Sequence, residues 1–361
     1  MKQLENARKT INEVDEQIAK LFERRMDAVK AVADYKQKCG IPVEDLAREE
    51  EMIKRNSVAV KEEYRSYYVN FLRSSIEISK SMQHKLLDGM RVAYSGVEGA
   101  FANIVAEKIF PDAKAIPHAS FKDAYDAVVN GECDCAVLPI ENSFNGDVGT
   151  VLDLAYFGNL CISGVYEAEI IQNLLAIKGT TLDQVKTVMS HPQALGQCAS
   201  YIEKHGFEKV EAINTAVAAK YVAEAGRHDI AAIGSAEAAE KFGLKKLEAH
   251  INESSTNTTR FAVFSREPKD ESPKDQHFIM LFTVKNVAGS LGKAISVIGS
   301  HNVNLKALKS RPTKALVWDY YFYAEGEGNI NSKEGKSMLK ELEECCNTIK
   351  ILGYYEKEIK I

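Results

Sequence analysis

The chain has 361 residues and a formal net charge of -5, with 45% hydrophobic and 27% charged residues. This length predicts two or three domains, and the composition is that of an ordinary globular protein. The chain has no excess of basic residues that would indicate nucleic-acid binding. It also has no apolar stretch that suits a leader or a membrane span, so we expect a cytoplasmic protein. Its 7 cysteines lack a paired CxxC spacing, which favours reduced structural thiols over a metal site.

The first segment, residues 1–88, predicts an all-helical domain whose first helix carries cations on its apolar seam. Small or apolar residues recur in heptads from Leu4 to Tyr35. Arg25 falls where an aliphatic residue is due, and Lys36 lies about 20° around the helix from it. Unpaired cations on a buried seam are costly, so an anion is expected there, unless both side chains reach solvent or pair with Glu. A helix of about 50 Å also predicts a dimer, because two such helices would cover each other's apolar stripe.

Two further helices, over about residues 43–60 and 62–87, add polar side chains at helical spacings of three and four. The pattern over the three helices consists of Arg8, Asp15, Glu23, Arg24, Arg25, Lys36, Pro42, Asp45, Arg48, Glu49, Ser79 and Gln83. With this pattern, residues 4–87 resemble the helical, AroQ-type chorismate mutase family.

The resemblance implies a pericyclic rearrangement of chorismate to prephenate, which needs no nucleophile, base or cofactor. The protein must hold a compact conformer of a dicarboxylate and stabilise the negative charge that grows on its ether oxygen. Arg8 lies about 80–100° around the helix from the face of Arg25 and Lys36, which fits a role in the other chain's site. The implied contacts are Arg25, Arg48, Ser79 and the partner subunit's Arg8 to carboxylates, Lys36 and Gln83 to the ether oxygen, and Asp45 and Glu49 to the ring hydroxyl.

The second segment, residues 90–266, alternates short apolar runs with helices, which predicts an α/β domain with largely parallel strands. Ser120–Pro139 and Thr215–Gly234 repeat one order of a hydroxyl cap, a helix, a glycine, an aspartate and a buried strand. Two similar lobes predict a ligand cleft between them, at the carboxyl ends of the strands.

Four motifs stand out in this segment. They are Gly96-Val97-Glu98-Gly99-Ala100-Phe101, Pro139-Ile140-Glu141-Asn142-Ser143, Ser190-His191-Pro192-Gln193 followed by Cys198, and Asn257-Thr258-Thr259-Arg260-Phe261. Together they resemble prephenate dehydratase.

That family couples loss of carbon dioxide to departure of a ring hydroxyl, which needs a proton donor and surroundings that do not over-stabilise the departing carboxylate. The resemblance makes Thr259 the candidate donor, whereas Arg260 either holds a substrate carboxylate or braces its loop. Ala100 and Ala102 replace the hydroxyl residues that are usual in the family.

Other residues expected at the cleft come from the same motifs and from the repeat. His191 precedes a proline at a strand end, where a helix-capping role is about as well founded as a role as an acid. The turn from Gly96 to Gly99 is not a GxGxxG motif, so neither a nicotinamide site nor a fused prephenate dehydrogenase is expected. The other candidate lining residues are Glu141, Asn142, Ser143, Gln193, Thr215, Thr258 and Phe261.

A polar linker, residues 266–275, leads to a third segment, residues 276–355, whose predicted βαββαβ order is ferredoxin-like. It resembles the ACT regulatory domain, whose Gly-Ala-Leu and Glu-Ser-Arg-Pro motifs bind L-phenylalanine between paired domains. This chain has Ser290 and Lys309 where those motifs have Ala and Glu, and a plain ferredoxin-like domain with turn glycines is the alternative. The expected effector residues are Gly289, Ser290, Leu291, Ser310, Arg311 and Pro312.

These resemblances imply a member of the bifunctional chorismate mutase–prephenate dehydratase family with a carboxyl-terminal ACT domain. Such a protein converts chorismate to prephenate and prephenate to phenylpyruvate under feedback control by L-phenylalanine. We expect no metal and no organic cofactor, and a homodimer or homotetramer paired through the helices or the ACT domains. A cytosolic sensor of an aromatic metabolite, with one catalytic activity or none, is the alternative.

Overall fold

The structure, a computed structural model, describes residues 2–254, 257–313 and 319–361. The chain divides into two compact units. The first runs to Arg91 and includes the short stretches 112–114 and 130–133, and the second holds the remaining residues. Within the described ranges, no helix combines the length and the apolar character that crossing a bilayer requires.

As far as residue 88, the described part of the first unit has helices as its regular elements, as the sequence predicts. Its long helix has 38 residues and spans about 57 Å. Ile53, Leu72 and Ile76 form a small apolar core between the second and third helices. The amino-terminal half of the long helix keeps its apolar row exposed, with Ile11 58% accessible. The helices are α1 (Lys2–Cys39), α2 (Leu46–Ser57) and α3 (Arg65–Asp88), with a 3₁₀ turn at Glu62–Tyr64.

The central region of the second unit has two lobes, each built on a sheet with helices packed against it. The first lobe contains β1 to β5 and β11, and the second contains β6 to β10. The elements in chain order are β1 (Arg91–Ser95), α4 (Phe101–Ile109), β2 (Lys114–His118), α5 (Phe121–Val129), β3 (Cys135–Asn142), β4 (Gly146–Asp147), α6 (Gly149–Phe157), β5 (Cys161–Glu169), β6 (Asn173–Ala176), β7 (Thr187–Ser190), α7 (Pro192–Gln197), α8 (Ala199–His205), β8 (Glu208–Glu211), α9 (Thr215–Ala225), β9 (Ile230–Gly234), α10 (Ala236–Lys241), β10 (Lys245–Glu248) and β11 (Thr258–Ser265).

Both lobes have mixed sheets. In the first lobe β1 and β3 are parallel, whereas β11 runs antiparallel between β3 and β5. In the second lobe β7, β8 and β9 are parallel, and β6 pairs antiparallel with β9. The prediction of largely parallel strands therefore holds for the strand–helix units. The exceptions are β6 and β11, which follow the two crossings between lobes and run antiparallel to their neighbours. All five residues of β9 are buried, as expected for a strand covered on both faces.

The carboxyl-terminal region follows the βαββαβ order that the sequence predicts. Its four main strands are antiparallel neighbours in the order β13-β14-β12-β15, and an apolar core that includes Phe278 and Phe282 packs against two helices. The third strand of this region begins at Tyr320, and residues 314–318 before it lie outside the described ranges. The elements are β12 (His277–Thr283), α11 (Ser290–Ser300), β13 (Asn304–Pro312), β14 (Tyr320–Glu327), α12 (Lys333–Glu343), β15 (Thr348–Tyr355) and β16 (Ile359–Lys360).

One sheet runs through the first lobe and the carboxyl-terminal region. β15 pairs in parallel with β5 at Gly353 and Ile162. A glycine is required at this contact, because a Cβ on Gly353 would lie 1.9 Å from the carbonyl oxygen of Ile162. The short strand β16 pairs with β5 as well. The carboxyl-terminal region is therefore joined to the sheet whose strands β3 and β11 carry the cleft motifs.

Candidate active sites

The first unit contains a cavity of about 360 Å³ between its three helices. It gathers all but one of the side chains that the sequence assigns to a mutase site; Arg8 is exposed near the start of α1. The lining residues are Arg25, Val29, Val32, Lys36, Val43, Asp45, Arg48, Glu49, Met52, Asn56, Ile76, Ser79, Lys80 and Gln83.

Among the residues that the structure describes, three cations line this cavity without a carboxylate partner. Arg25 donates a hydrogen bond to Oγ of Ser79, and Nζ of Lys36 donates to the carbonyl of Val43 at 2.7 Å. Within the described part of the chain, Arg25, Lys36 and Arg48 form no ion pair. Burial removes water from the Arg25 guanidinium and lowers its pKa. An anionic ligand would compensate this positive charge.

The acidic and amide groups of the cavity have defined contacts. Asp45 caps α2 by accepting from a backbone N–H of its first turn at 3.1 Å. Glu49 pairs with Lys80 at 3.4 Å, a residue that the sequence reasoning missed although it lies three positions before Gln83 on α3. Nε2 of Gln83 donates to a backbone carbonyl at 3.3 Å, and its buried Oε1 has no hydrogen-bond partner in the structure.

The second unit contains a larger cavity, about 560 Å³, between the two lobes. Of the residues expected there, Asn142, His191, Gln193, Thr215, Thr259 and Phe261 line it, together with both alanines that replace the usual hydroxyls. The full lining is Ala100, Phe101, Ala102, Phe121, Pro139, Asn142, Asn145, Gly146, Asp147, Val148, Gly149, Ile170, Gln172, His191, Gln193, Ala194, Gln197, Asn214, Thr215, Thr259 and Phe261.

Asn142 and Thr259 are cross-strand neighbours on β3 and β11. Nδ2 of Asn142 donates to Oγ1 of Thr259 at 2.9 Å. Oδ1 of Asn142 accepts from the backbone N–H groups of Phe144 and Asn145 at 3.1 and 3.0 Å, which fixes the amide's orientation. Because Oγ1 of Thr259 acts as an acceptor in this pair, its hydroxyl hydrogen stays available for a group in the cavity.

Four helices begin at the wall of this cavity. Phe101, Gly149, Gln193 and Thr215 stand in the first turns of α4, α6, α7 and α9, and each of them lines the cavity. Among the described lining residues none is lysine or arginine. Backbone N–H groups and the positive ends of the helix dipoles therefore supply the positive potential of this cavity. Such a site attracts a carboxylate without holding it in an ion pair.

His191 caps α7. Its Nδ1 accepts from the backbone N–H of Gln193 at 3.2 Å. The neutral ring therefore carries its hydrogen on Nε2. The helix-capping role that the sequence allowed is therefore observed. The ring also lines the cavity, where its Nε2–H can act as a hydrogen-bond donor.

Several lining residues were missed by the sequence reasoning. Gln172 and Gln197 are buried, and Nε2 of Gln172 donates to Oε1 of Gln197 at 3.3 Å. Among the described residues, Oε1 of Gln172 has no hydrogen-bond partner. No motif marks these two glutamines. Asn214 caps α9 by accepting from the backbone N–H of Val217 at 2.8 Å, and its place just before Thr215 was a usable signal.

Four of the predicted cleft residues do not line the cavity. The backbone N–H of Thr258 donates to Oγ of Ser143 at 3.0 Å, which joins the ends of β11 and β3. The guanidinium of Arg260 pairs with Glu141 at 2.8 Å and with Glu325 of β14 at 2.7 Å. Of the two roles that the sequence left open for Arg260, bracing is the one that these contacts fit.

The residues expected to bind an effector lie at the start of α11 and at the end of β13. Gly289 is the N-cap of α11 with φ +84°, a conformation that favours glycine. Ser310–Pro312 belong to β13, which stands at one end of the sheet order. The guanidinium of Arg311 forms a two-point ion pair with Asp153 of α6, at 2.8 and 3.0 Å. Arg311 thus links the expected effector segment to the helix that starts at the cavity.

The first turn of α4 lacks a side-chain hydrogen bond at its N-cap, Ala100. This residue has extended backbone angles of -71° and 158°. A serine hydroxyl can accept a free N–H of the first turn, so Ala100→Ser should stabilise the protein by about 1 kcal/mol, or about 2–4 °C in Tm. Scanning calorimetry of both proteins measures this. An unchanged or lowered Tm would contradict the expectation and indicate that the cavity wall does not accept the hydroxyl.

Comparison with known families defines the class of each region. The sequence profile of prephenate dehydratase matches residues 92–269, and that of chorismate mutase type II matches residues 7–84. The smaller cavity therefore lies in a region of the mutase class, and the larger cavity lies in a region of the dehydratase class.

Individual relatives narrow this further. The chain is 31% identical to the bifunctional chorismate mutase/prephenate dehydratase of Aquifex aeolicus (strain VF5), over 99% of each chain. The structure of a prephenate dehydratase from Arthrobacter aurescens in complex with L-Phe is similar, with TM-score 0.69, 27% identity and coverage of 74% of this chain and 90% of that one. GqqA, described as a novel type of quorum quenching acylase, is also similar, with TM-score 0.68, 31% identity and coverage of 73% and 97%.

This chain belongs to the family of bifunctional chorismate mutase/prephenate dehydratases. It is an enzyme with both activities, and its substrates are chorismate and prephenate. The prediction made from the sequence is confirmed on this point. The alternative of a sensor with one activity or none is not favoured.

Proposed function

We propose that the cavity of the first unit is the chorismate mutase site. The observation that carries this is the set of three cations, Arg25, Lys36 and Arg48, that line it without an ion pair among the described residues. Guanidinium groups suit the two carboxylates of chorismate. Lys36 and the amide of Gln83 would donate to the ether oxygen as its C–O bond breaks and the new C–C bond forms. The remaining proposed contacts are Asp45 and Glu49 to the ring hydroxyl and Ser79 to a carboxylate.

We propose further that a second copy of the chain completes this site. Arg8 is exposed on α1, in a stretch where Ile11 and Leu21 are 58% and 59% accessible. Packing a second α1 against this stretch would bury both side chains and favour a homodimer. The partner subunit's Arg8 would then supply a further guanidinium for a carboxylate. Pairing of the carboxyl-terminal regions as well would give a homotetramer.

Mixing two inactive variants tests this completion. Arg8→Ala and Arg25→Ala are each expected to lose most mutase activity. After subunit exchange, half of the dimers carry one of each chain and hold one intact site of two, so about one quarter of the wild-type activity should return. A mixture that stays as inactive as its components would contradict the shared site. The dehydratase activity of the same samples controls for folding.

We propose that the cavity between the lobes is the dehydratase site, with Thr259 as the proton donor. The bond from the ring to its carboxylate breaks, and the electron pair enters the ring as carbon dioxide leaves. The ring C–O bond then breaks, and the departing hydroxide takes the hydroxyl hydrogen of Thr259, which water later restores. The donation from Asn142 to Oγ1 supports this, because it orients the hydroxyl and stabilises the alkoxide. The described lining residues include no lysine or arginine, which avoids an ion pair that would retain the carboxylate.

We propose that residues 276–355 form an ACT domain that binds L-phenylalanine. The same chain would have a helical mutase domain over residues 1–88 and a dehydratase domain over residues 90–266. The βαββαβ order and the left-handed Gly289 at the start of α11 support this. The structure of a prephenate dehydratase in complex with L-Phe supports it as well. Bound effector would act by lowering the dehydratase rate, through a change in the closure of the cleft.

A further inference from the structure

Lys309 joins the proposed effector segment to the dehydratase cavity. It lies on β13, directly before Ser310 and Arg311, where related motifs have glutamate. Its ammonium group pairs with Oε1 of Glu141 at 2.7 Å and with Oδ1 of Asp147 at 2.6 Å, and its side chain is 15% exposed. Asp147 lines the dehydratase cavity. A glutamate at this position would repel both carboxylates, so this contact belongs to the lysine of this chain.

Glu141 divides its two oxygens between two cations. Oε1 pairs with Lys309, and Oε2 accepts from Nη1 of Arg260 at 2.8 Å. Arg260 also holds Glu325, whose side chain is 2% exposed, and Glu358 near the carboxyl end. Burial alone would raise the pKa of Glu141, but hydrogen bonds from Lys309 and Arg260 lower it, so its carboxylate is held in the charged form.

This ion-pair chain lies directly behind the residues proposed to act on prephenate. Glu141 and Asn142 are neighbours on β3, and Thr259 and Arg260 are neighbours on β11. Successive side chains in a strand point to opposite faces of the sheet. The pair Asn142 and Thr259 therefore lies on the cavity face, and the pair Glu141 and Arg260 lies on the other, as their contacts show.

The backbone pairing at the ends of β3 and β11 is irregular, so the ion pairs of Glu141 and Arg260 can influence where these strand ends lie. The register between β3 and β11 shifts between Arg260 and Phe261, a β-bulge beside the cavity. At a bulge the hydrogen bonds between the two strands are disrupted locally. Side-chain contacts therefore contribute more to the orientation of Asn142 and Thr259. Removing the Lys309 charge would leave two neighbouring carboxylates, Glu141 at 28% and Asp147 at 33% side-chain exposure, without the cation between them. Their mutual repulsion would then let both strand ends shift.

We propose that Lys309 is a positioning residue of the dehydratase reaction, which holds Asn142 and Thr259 in place through Glu141 and Asp147. Because Lys309 precedes Ser310 in the segment proposed to bind L-phenylalanine, the same contacts carry the effector's influence to the cavity. This role of Lys309 rests on the proposed function of the cavity. It adds a set of contacts by which L-phenylalanine bound in the third region would change the dehydratase rate.

The test compares three variants in the full-length protein. Lys309→Met removes the charge and keeps most of the side chain's length, Lys309→Arg keeps the charge, and Lys336→Met removes an exposed lysine of the same region. For Lys309→Met the dehydratase kcat should fall by about ten- to a hundred-fold with KM nearly unchanged, since small misplacement of reacting groups costs rates of this order. Lys309→Arg should restore most of the kcat, and Lys336→Met should match wild type. Mutase activity and Tm of every variant report on folding.

The effector is tested on the same proteins. Calorimetry should show that L-phenylalanine still binds Lys309→Met, while it no longer lowers the remaining dehydratase rate. A Lys309→Met protein with wild-type kcat would overturn the positioning role. A lower kcat would also overturn it if the Tm fell in parallel and Lys309→Arg did not restore the rate. Full inhibition of Lys309→Met by L-phenylalanine would overturn the effector route. Wild-type protein without dehydratase turnover would instead refute the proposed function of the cavity, a separate outcome.

Discussion

Replacing Thr259 by valine should lower the kcat for phenylpyruvate formation from prephenate by about 10²–10⁴-fold, the usual contribution of a positioned proton donor. Valine keeps the branched shape of the side chain and replaces the hydroxyl by a methyl group. The side chain lies at the cavity, and Oγ1 accepts from Nδ2 of Asn142 at 2.9 Å. Without the hydroxyl, the departing hydroxide has no donor at this position, and the Asn142 amide loses one of its acceptors. Steady-state rates with prephenate as the substrate measure the loss.

Thr259→Ser is the matched control, because it keeps the hydroxyl and removes the methyl group. It should retain kcat within about ten-fold of wild type, since the donor is present but less firmly oriented. Mutase activity of both variants should equal that of wild type. A valine variant that kept its dehydratase rate would remove Thr259 from the mechanism.

Replacing Lys36 by methionine should lower the mutase kcat/KM by about 10²–10³-fold and leave the conversion of prephenate unchanged. A charged donor at the ether oxygen stabilises the transition state more than the ground state, and loss of one such donor costs rates of this order. In the described part of the chain, Lys36 donates to the carbonyl of Val43 and forms no ion pair. Its removal therefore leaves no carboxylate unpaired, and Tm should stay close to the wild-type value.

Lys38→Met is the control for this experiment. Lys38 is exposed at the carboxyl end of the same helix and does not line the cavity. The two variants change the net charge equally, so a difference between their mutase rates reports on the cavity. Equal losses in both variants, or no loss in Lys36→Met, would show that Lys36 does not act on the ether oxygen.

The helices and the mutase cavity were largely predictable from the sequence. The heptad pattern defined α1, and spacings of three and four on α2 and α3 placed the polar residues on shared faces. Helix geometry placed Arg25 and Lys36 on one face of α1, and the resemblance to the mutase family added Gln83 of α3 to the same cavity. Lys80 was missed because a lysine on a helix surface is by default a solvated residue, and its contact with Glu49 depends on how α2 and α3 pack.

The dehydratase cavity was predictable only in part. Alternation along a strand shows that Thr259 and Arg260 point to opposite faces, but it does not show which face carries the cleft. The sequence therefore left two roles open for Arg260, and its partners on β3 and β14 are far from it in the chain. Gln172 and Gln197 belong to the connection between lobes and to α7, and neither position has a local signal.

The continuation of the sheet into the third region had no sequence signal. It depends on the close approach of β15 to β5, where Gly353 leaves room for a carbonyl oxygen. A glycine inside an apolar strand indicates a close backbone contact but does not identify the partner strand. The link between the expected effector segment and the cavity, through Lys309 and Arg311, follows from this junction and not from either motif alone.

The most direct test of two active sites in one chain is phenylpyruvate formation by the pure protein, with chorismate and prephenate supplied in separate reactions. We expect phenylpyruvate from both substrates, with prephenate as the intermediate when chorismate is supplied. Product from prephenate alone would contradict the mutase site, since the helical unit would then leave chorismate unchanged. Chorismate consumed with prephenate accumulating would contradict the dehydratase site.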